Sequence, residues 1–266
     1  MRWLSLLVVC LAVTAGCNGF GGLSAETTVT PAPVSEPATS STEQTPESAI
    51  APGVGGGRII DANRLASAHR NAIRNRSYVW HEHHSATRVR ADGTLEIVAR
   101  LEVENERRYY FQQSTSWSGR NVSEYTEGTS RYRRVVERAG YRHVEEPATD
   151  VTARLGDRPA AAVARFLSIG NATVRATDVD GRRYYRITGT TNSIPETGRI
   201  NNYNVRALVS SSGFVRTLTV SYIEYTIDDR RRIAYRYEYA DVGNATVSPP
   251  EWVTEQWPDN TTATGG

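Results

Sequence analysis

The sequence predicts an α+β fold, mainly β: a curved antiparallel sheet forming a half-barrel, with two helices packed on its concave face. Three observations lead there. Most of the chain beyond residue 77 alternates apolar and polar residues with period two. The dipeptides Asp92-Gly93, Asp180-Gly181 and Ser212-Gly213 separate such segments as hairpin turns. Only two stretches have helical spacing. Strands joined by short turns pair antiparallel, because parallel pairs need crossover helices, and a long meander with two helices must curl around them or leave its concave face exposed.

The N-terminus reads Met1, Arg2, an apolar run from Trp3 to Val13, then Thr14, Ala15, Gly16 and Cys17, the layout of a signal peptide over residues 1–16. The run is too short to span a bilayer comfortably. Ala15 and Gly16 before Cys17 resemble a lipobox, with Thr14 where a bulky aliphatic residue is usual. Cys10, the other cysteine, lies inside the run and leaves with it, so Cys17 has no internal disulfide partner and is the candidate lipidation site. After it, residues up to Gly57 are Thr, Ser, Pro, Ala, Glu and Gly with almost nothing aliphatic to offset the entropy of ordering. Residues 17–57 therefore read as a lipidated N-terminus and disordered tether, stiffened by Pro31, Pro33, Pro37, Pro46 and Pro52.

A single β domain is expected over residues 58–253, followed by a disordered tail, 254–266. Its first element is a helix capped by Asp61, with Leu65, Ala68, His69, Ala72 and Ile73 on one face. A second helix follows Asp157 and Pro159, carries Ala160, Val163, Ala164 and Leu167, and stops at Gly170. The clearest strand alternates Leu95, Ile97, Ala99, Leu101 and Val103 with Glu96, Arg100, Glu102 and Glu104. Others run near 78–88, 107–117, 120–126, 130–138, 172–179, 182–189, 203–211, 214–227 and 231–240.

One strand lines Ile233, Tyr235, Tyr237 and Tyr239 along a single face, and Tyr109, Phe111 and Trp117 are placed likewise earlier. Rings with a polar tip suit a wall that is apolar but wet at its rim, as well as ordinary cross-strand packing. Tyr109, Phe111, Tyr235, Tyr237 and Tyr239 are the candidate cavity wall.

This succession of signal, tether, helix, meander, second helix and closing hairpins resembles the LolA, LolB and LppX type of lipoprotein carrier. Their half-barrels hold acyl chains under helices. The segment Arg236-Tyr237-Glu238-Tyr239-Ala240-Asp241-Val242-Gly243, with Val247, Pro249, Pro250, Glu251 and Trp252, is similar to a family of haloarchaeal lipoproteins. Leu65, His69 and Asn75-Arg76-Ser77-Tyr78 are similar to it as well. The resemblance brings no catalytic residues. It implies an extracytoplasmic lipoprotein that binds a lipid or other apolar ligand, anchored at the outer face of the cytoplasmic membrane.

The remaining constellations offer little chemistry. His81, Glu82, His83 and His84 form the most metal-like cluster, but no third ligand is evident and no metal is expected. Glu145 with Glu146 and Asp228 with Asp229 are adjacent pairs that extended structure points apart. No Gly-x-Ser-x-Gly, phosphate loop or dinucleotide fingerprint occurs, so neither an enzyme nor a cofactor is expected. Lysine is absent and the net charge is +2. The basic excess lacks the clustered stripe of a nucleic-acid site, and Arg230, Arg231 and Arg232 read as a solvated turn. Sequons at Asn75, Asn121, Asn171, Asn244 and Asn260 are candidate glycosylation sites. The competing reading is an envelope module that touches other envelope proteins and holds no small ligand. A connected apolar void separates the two.

Overall fold

The chain lays down two antiparallel meanders. The first comprises β1 (Tyr78–Arg88), β2 (Thr94–Asn105), β3 (Arg108–Thr115), β4 (Arg120–Glu127), β5 (Ser130–Glu137) and β6 (Gly140–Pro147). The second comprises β7 (Asn171–Val179), β8 (Arg182–Thr190), β9 (Ile200–Val209), β10 (Val215–Tyr225) and β11 (Arg230–Ala240). They join where β11 pairs with β1, giving one open, curved, eleven-stranded sheet in the order β6-β5-β4-β3-β2-β1-β11-β10-β9-β8-β7. The computed structural model describes residues 49–89, 93–227 and 229–258, all within one compact unit, Gln44–Gly266. Cys17, the apolar run, most of the tether and Asn260 lie outside the described residues.

Between the meanders the chain leaves one edge of the sheet and returns at the other through α2 (Val151–Leu155) and α3 (Asp157–Phe166). Beside α3 packs α1 (Ala62–Ile73), with Arg70 Nε 2.6 Å from Asp157. Asp61 caps α1 as its position predicts, accepting from the Arg64 amide at 2.9 Å. No helix among the described residues is long and apolar enough to cross a membrane.

Period two decides the faces. Trp80, Leu101, Val103, Phe111, Val205, Leu218 and the β11 row from Ile233 to Tyr239 are buried with Leu65, Val163 and Phe166 of the helices in the main core. We call this the inner face. On the outer face a separate cluster forms: α4 (Glu251–Gln256) places Trp252 and Val253 against Tyr125, Tyr132 and Val247. Glu104 holds that segment by accepting from the Val247 amide at 2.9 Å.

Several elements differ from the sequence expectation. Among the described residues four helices are present rather than two, because α2 and α4 have only 5 and 6 residues, too few to establish periodicity. The second expected helix ends at Phe166, and Gly170 instead precedes β7. β6 was not anticipated; it is an edge strand whose Gly140, Tyr141 and Arg142 are exposed, so it has little apolar alternation to read. Trp117 lies in the β3–β4 turn and is 54% exposed rather than lining a strand face. Ordered packing also begins before residue 57 and continues past 253. Ala51 and Val54 are buried in the main core, while Trp257 packs on Tyr132 with ring centroids 4.8 Å apart. Gly53 makes the N-terminal turn feasible: its φ is +77°, and a Cβ there would lie 2.1 Å from the Asp61 carbonyl oxygen.

His69 ties α1 to the sheet. Its Nδ1 accepts from the Val215 amide at 3.2 Å, which fixes the hydrogen on Nε2 and directs it to the Tyr239 oxygen 3.3 Å away. The ring also stacks on Phe214 and Tyr237 at centroid distances of 5.8 and 6.2 Å. Burial, and secondarily the charge of Arg70, pull its pKa from 6.5 down to about 3. The unfolded chain takes up a proton below about pH 6.5 that the folded protein refuses until about pH 3, so stability is full above this window and falls through it. Wild type should therefore lose thermal stability on acidification from pH 6.5 to 5 more steeply than His69→Gln. Parallel melting curves for the two across that interval would show that His69 is not buried neutral.

Candidate functional site

The inner face is not covered along its whole length. At the end where β1 turns into β2 and β10 into β11, a cavity of about 910 Å³ lies between α3 and the strands, within the range of roughly 300–1,000 Å³ typical of ligand pockets. A hollow of about 700 Å³ at β7–β9 is lined chiefly by Thr173, Thr188, Thr190, Asn204 and Arg206 and lacks a comparable apolar wall.

Register orders the cavity floor into rows. His84 stands opposite Ile97 on one side and Tyr235 on the other. One step outward, Ala86 lies between Leu95 and Ile233, and Ile233 is partnered by Tyr222. Outermost, Arg231 lies between Arg88 and Glu224. The roof is α3, through Arg158, Ala162, Ala164, Arg165 and Phe166, extended by Pro195 and Glu196. Leu95 is 41% exposed and Trp117 54%, which places the mouth at the hairpin end, whereas Glu82 at the inner end is 4% exposed.

Glu82 closes that inner end. Its carboxylate accepts from Arg158 Nε at 3.2 Å, from Arg158 Nη2, and from the Tyr235 hydroxyl at 3.0 Å. Arg158 also donates from Nη1 to Gln113 at 2.9 Å and lies over the Trp80 ring, 5.5 Å from its centroid. Burial and the Glu82 charge hold the Tyr235 pKa well above 10, so its hydroxyl stays a donor. Burial lowers the His84 pKa; Glu82 opposes this, and Arg165 and Arg158 reinforce it. A second buried carboxylate repeats the pattern beneath α2. Glu124 is 3.4 Å from Arg154 and accepts from the Tyr109 hydroxyl at 3.1 Å, and burial pushes the Tyr109 pKa up to about 12.

Of the residues picked from sequence as cavity wall, only Tyr235 is on the cavity. Tyr109 points to Glu124, Phe111 is packed in the main core, and Tyr237 and Tyr239 surround His69 under α1. All five face inward, but the cavity occupies just one end of that face. The cavity's other apolar lining includes Leu95, Ile97, Ala86 and Tyr222, with Ile233, which heads the tyrosine row but was not among the five candidates. Leu95 and Ile97 are legible in the sequence as one face of their strand, but not as neighbours of the tyrosine row, because β1 stands between β2 and β11. Arg231 faces the cavity instead of sharing a solvated turn with Arg230 and Arg232. The alternation of β1 also splits the histidine cluster: Glu82 and His84 line the cavity, whereas His81 and His83 line a hollow on the outer face. Among the described residues no group of three His, Cys, Asp or Glu gathers to hold a metal ion. The described sequon asparagines, Asn75, Asn121, Asn171 and Asn244, are all exposed.

Residues 2–256 match DUF7537, a family of unknown function. The chain belongs to that family. No curated protein matches it. Among solved structures it is similar to LprF from Mycobacterium bovis, with 11% identity and a TM-score of 0.33 over 73% of this chain and 99% of that one. A LolA superfamily protein from Nitrosomonas europaea has 12% identity and a TM-score of 0.24, covering 73% and 96%. A putative outer membrane lipoprotein-sorting protein domain from Vibrio parahaemolyticus has 7% identity and a TM-score of 0.24, covering 74% and 98%. None of these likenesses bears on the chemistry of the cavity in this DUF7537 chain.

Removing one partner of the Glu82–Arg158 pair leaves a charge stranded away from water. Arg158→Met should cost about 2–3 kcal/mol, toward the low end for buried pairs because Arg158 keeps some contact with solvent. The double variant Glu82→Leu/Arg158→Met should recover most of that loss in urea denaturation. Additive losses in the double variant would mean the two side chains do not act as a pair.

Proposed function

We infer that this protein is a membrane-anchored, extracytoplasmic, non-catalytic carrier that holds a lipid or other apolar ligand between α3 and the inner face of its sheet. The observation that carries this reading is the cavity itself. Its walls include Ala86, Leu95, Ile97, Ala162, Phe166 and Ile233, and its mouth is open at one end of the sheet. Apolar surface left uncovered in water is unfavourable by about 25 cal/mol per Å², and an apolar guest removes that penalty.

The mouth supports the same reading. Val89, Trp117 and Ile227 are exposed at 44%, 54% and 102%, and all three lie in or beside the hairpin turns at that end. Exposed apolar tips around an opening suit contact with a membrane from which a lipid is taken. Cys17, modified with lipid, is the anchor, and the Pro- and Ser/Thr-rich segment after it gives the domain its reach.

Organic extracts of natively purified protein, read by mass spectrometry, should contain a lipid in near-stoichiometric amount. Ala164→Trp, which places an indole in the roof, should lower that amount at least severalfold without changing the circular dichroism spectrum. Recovery of no lipid, with no apolar probe bound by the delipidated protein, would instead favour an envelope interaction module. Anchoring is tested separately, because Cys17→Ser should move the protein from the membrane fraction to the medium or leave an uncut precursor. Mature Cys17→Ser protein still wholly in the membrane fraction would sink the anchor.

A further inference from the structure

Three arginines line the cavity, and they are not equivalent. Arg158 is committed to Glu82 and Gln113. Arg165, on α3, donates from Nη2 to Thr197 at 2.7 Å and lies over the Phe166 ring, 5.3 Å from its centroid. Arg231 belongs to the outermost row of the floor. Neither Arg165 nor Arg231 has a carboxylate within 4.0 Å among the described residues, and the Nε of each is buried with no hydrogen-bond partner. Two acids are close by: Glu224, the cross-strand neighbour of Arg231, and Glu196 on the roof loop, yet neither makes an ion pair with these guanidinium groups. A guanidinium has five donors in a fixed fork that fits a carboxylate or phosphate. Two such groups at the mouth of an apolar cavity, without an ion pair among the described residues, are a seat for an anion.

Resting on the carrier reading above, we propose that the ligand is an amphiphile with an anionic head, carboxylate or phosphate, held at the mouth by Arg165 and Arg231 with its hydrocarbon chain running inward. The rows of the floor give the direction. From Arg231 the floor passes to Ala86, Leu95 and Ile233, then to Ile97 and Tyr235, and ends at the Glu82–Arg158 pair. Arg88 lies six steps along β1 from Glu82, roughly 20 Å at about 3.3 Å per step, enough depth for a long acyl chain. The inner end offers an anionic head nothing, because Arg158 is already neutralised by Glu82. Polarity thus orients the guest head-outward.

The test is titration calorimetry on delipidated full-length protein with three probes of equal chain length: hexadecanoate, hexadecyl phosphate and hexadecan-1-ol. The anions should bind at least about tenfold tighter than the alcohol, and the tighter of the two names the head. Arg165→Gln/Arg231→Gln should reduce that preference to about twofold or less, while Arg165→Lys/Arg231→Lys, which keeps the charges but not the forks, should retain part of it. An alcohol bound as tightly as the anions by the wild-type protein overturns the seat and leaves the carrier standing, even if the variants fail to fold. Equal losses for all three probes in the glutamine variant overturn it too. Failure of every probe to bind removes the carrier reading itself, and the seat with it.

Discussion

Glu82 lies on β1, the strand on which the two meanders close, with its side chain turned toward α3 and almost wholly out of water. An ionised carboxylate in that position is unfavourable by several kcal/mol unless a cation and further hydrogen bonds satisfy it. Here Arg158 supplies two donors and Tyr235 a third. Because Arg158 is near the start of α3, meeting this requirement fixes where the helix begins its path over the sheet. Glu124 does the same for α2 through Arg154. The crossover between the meanders is therefore held at two polar points, and the apolar packing of α1 and α3 fills in around them. Beyond the last of those contacts α3 no longer packs closely on the inner face, and the space left between helix and strands toward the hairpins is the cavity.

How far the sequence revealed this follows from the range of each interaction. The face of β11 is written in its own alternation, and Ile233, Tyr235, Tyr237 and Tyr239 do all point inward. The cap of α1 is equally local, since Asp61 and Arg64 are three residues apart. Glu82 was hidden in plain view. Within His81-Glu82-His83-His84 it resembles part of a ligand cluster or a solvated strand end, and its partner is 76 residues away on a helix. No spacing rule connects the two. Which end of the tyrosine row would border a cavity was also unreadable, because that depends on where α3 stops, and α3 stops at Phe166 rather than at Gly170.

Short and peripheral elements were missed for a related reason. α2, α4 and the edge strand β6 bury few residues each, so the periodic signal that burial imposes on sequence is weak. The segment around Val54 has the composition of the tether before it, yet one bridge to Ile59 and the close turn at Gly53 are enough to bring Ala51 and Val54 into the core. Composition marks where order is unsupported on average; a single well-placed turn defeats it locally.

The absence of lysine, which in the sequence looks like a matter of genome composition, has consequences inside this fold. Arg158 uses all of its side-chain nitrogens: Nε and Nη2 toward Glu82, Nη1 toward Gln113, while its flat face covers Trp80. A lysine ammonium is a point charge on a flexible stem, more strongly hydrated than a guanidinium and without a planar face to stack. It could neutralise Glu82 but not also orient Gln113 and cover the indole, so α3 would lose its angular restraint even with the charge preserved. The same reasoning separates the arginines of the cavity. Where the fork is filled by protein acceptors, as at Arg158, the residue is structural. Where no carboxylate meets it beside apolar wall, as at Arg231 and at Arg165, whose acceptor is the Thr197 hydroxyl, the geometry that stabilises buried ion pairs elsewhere in the molecule is presented to whatever enters.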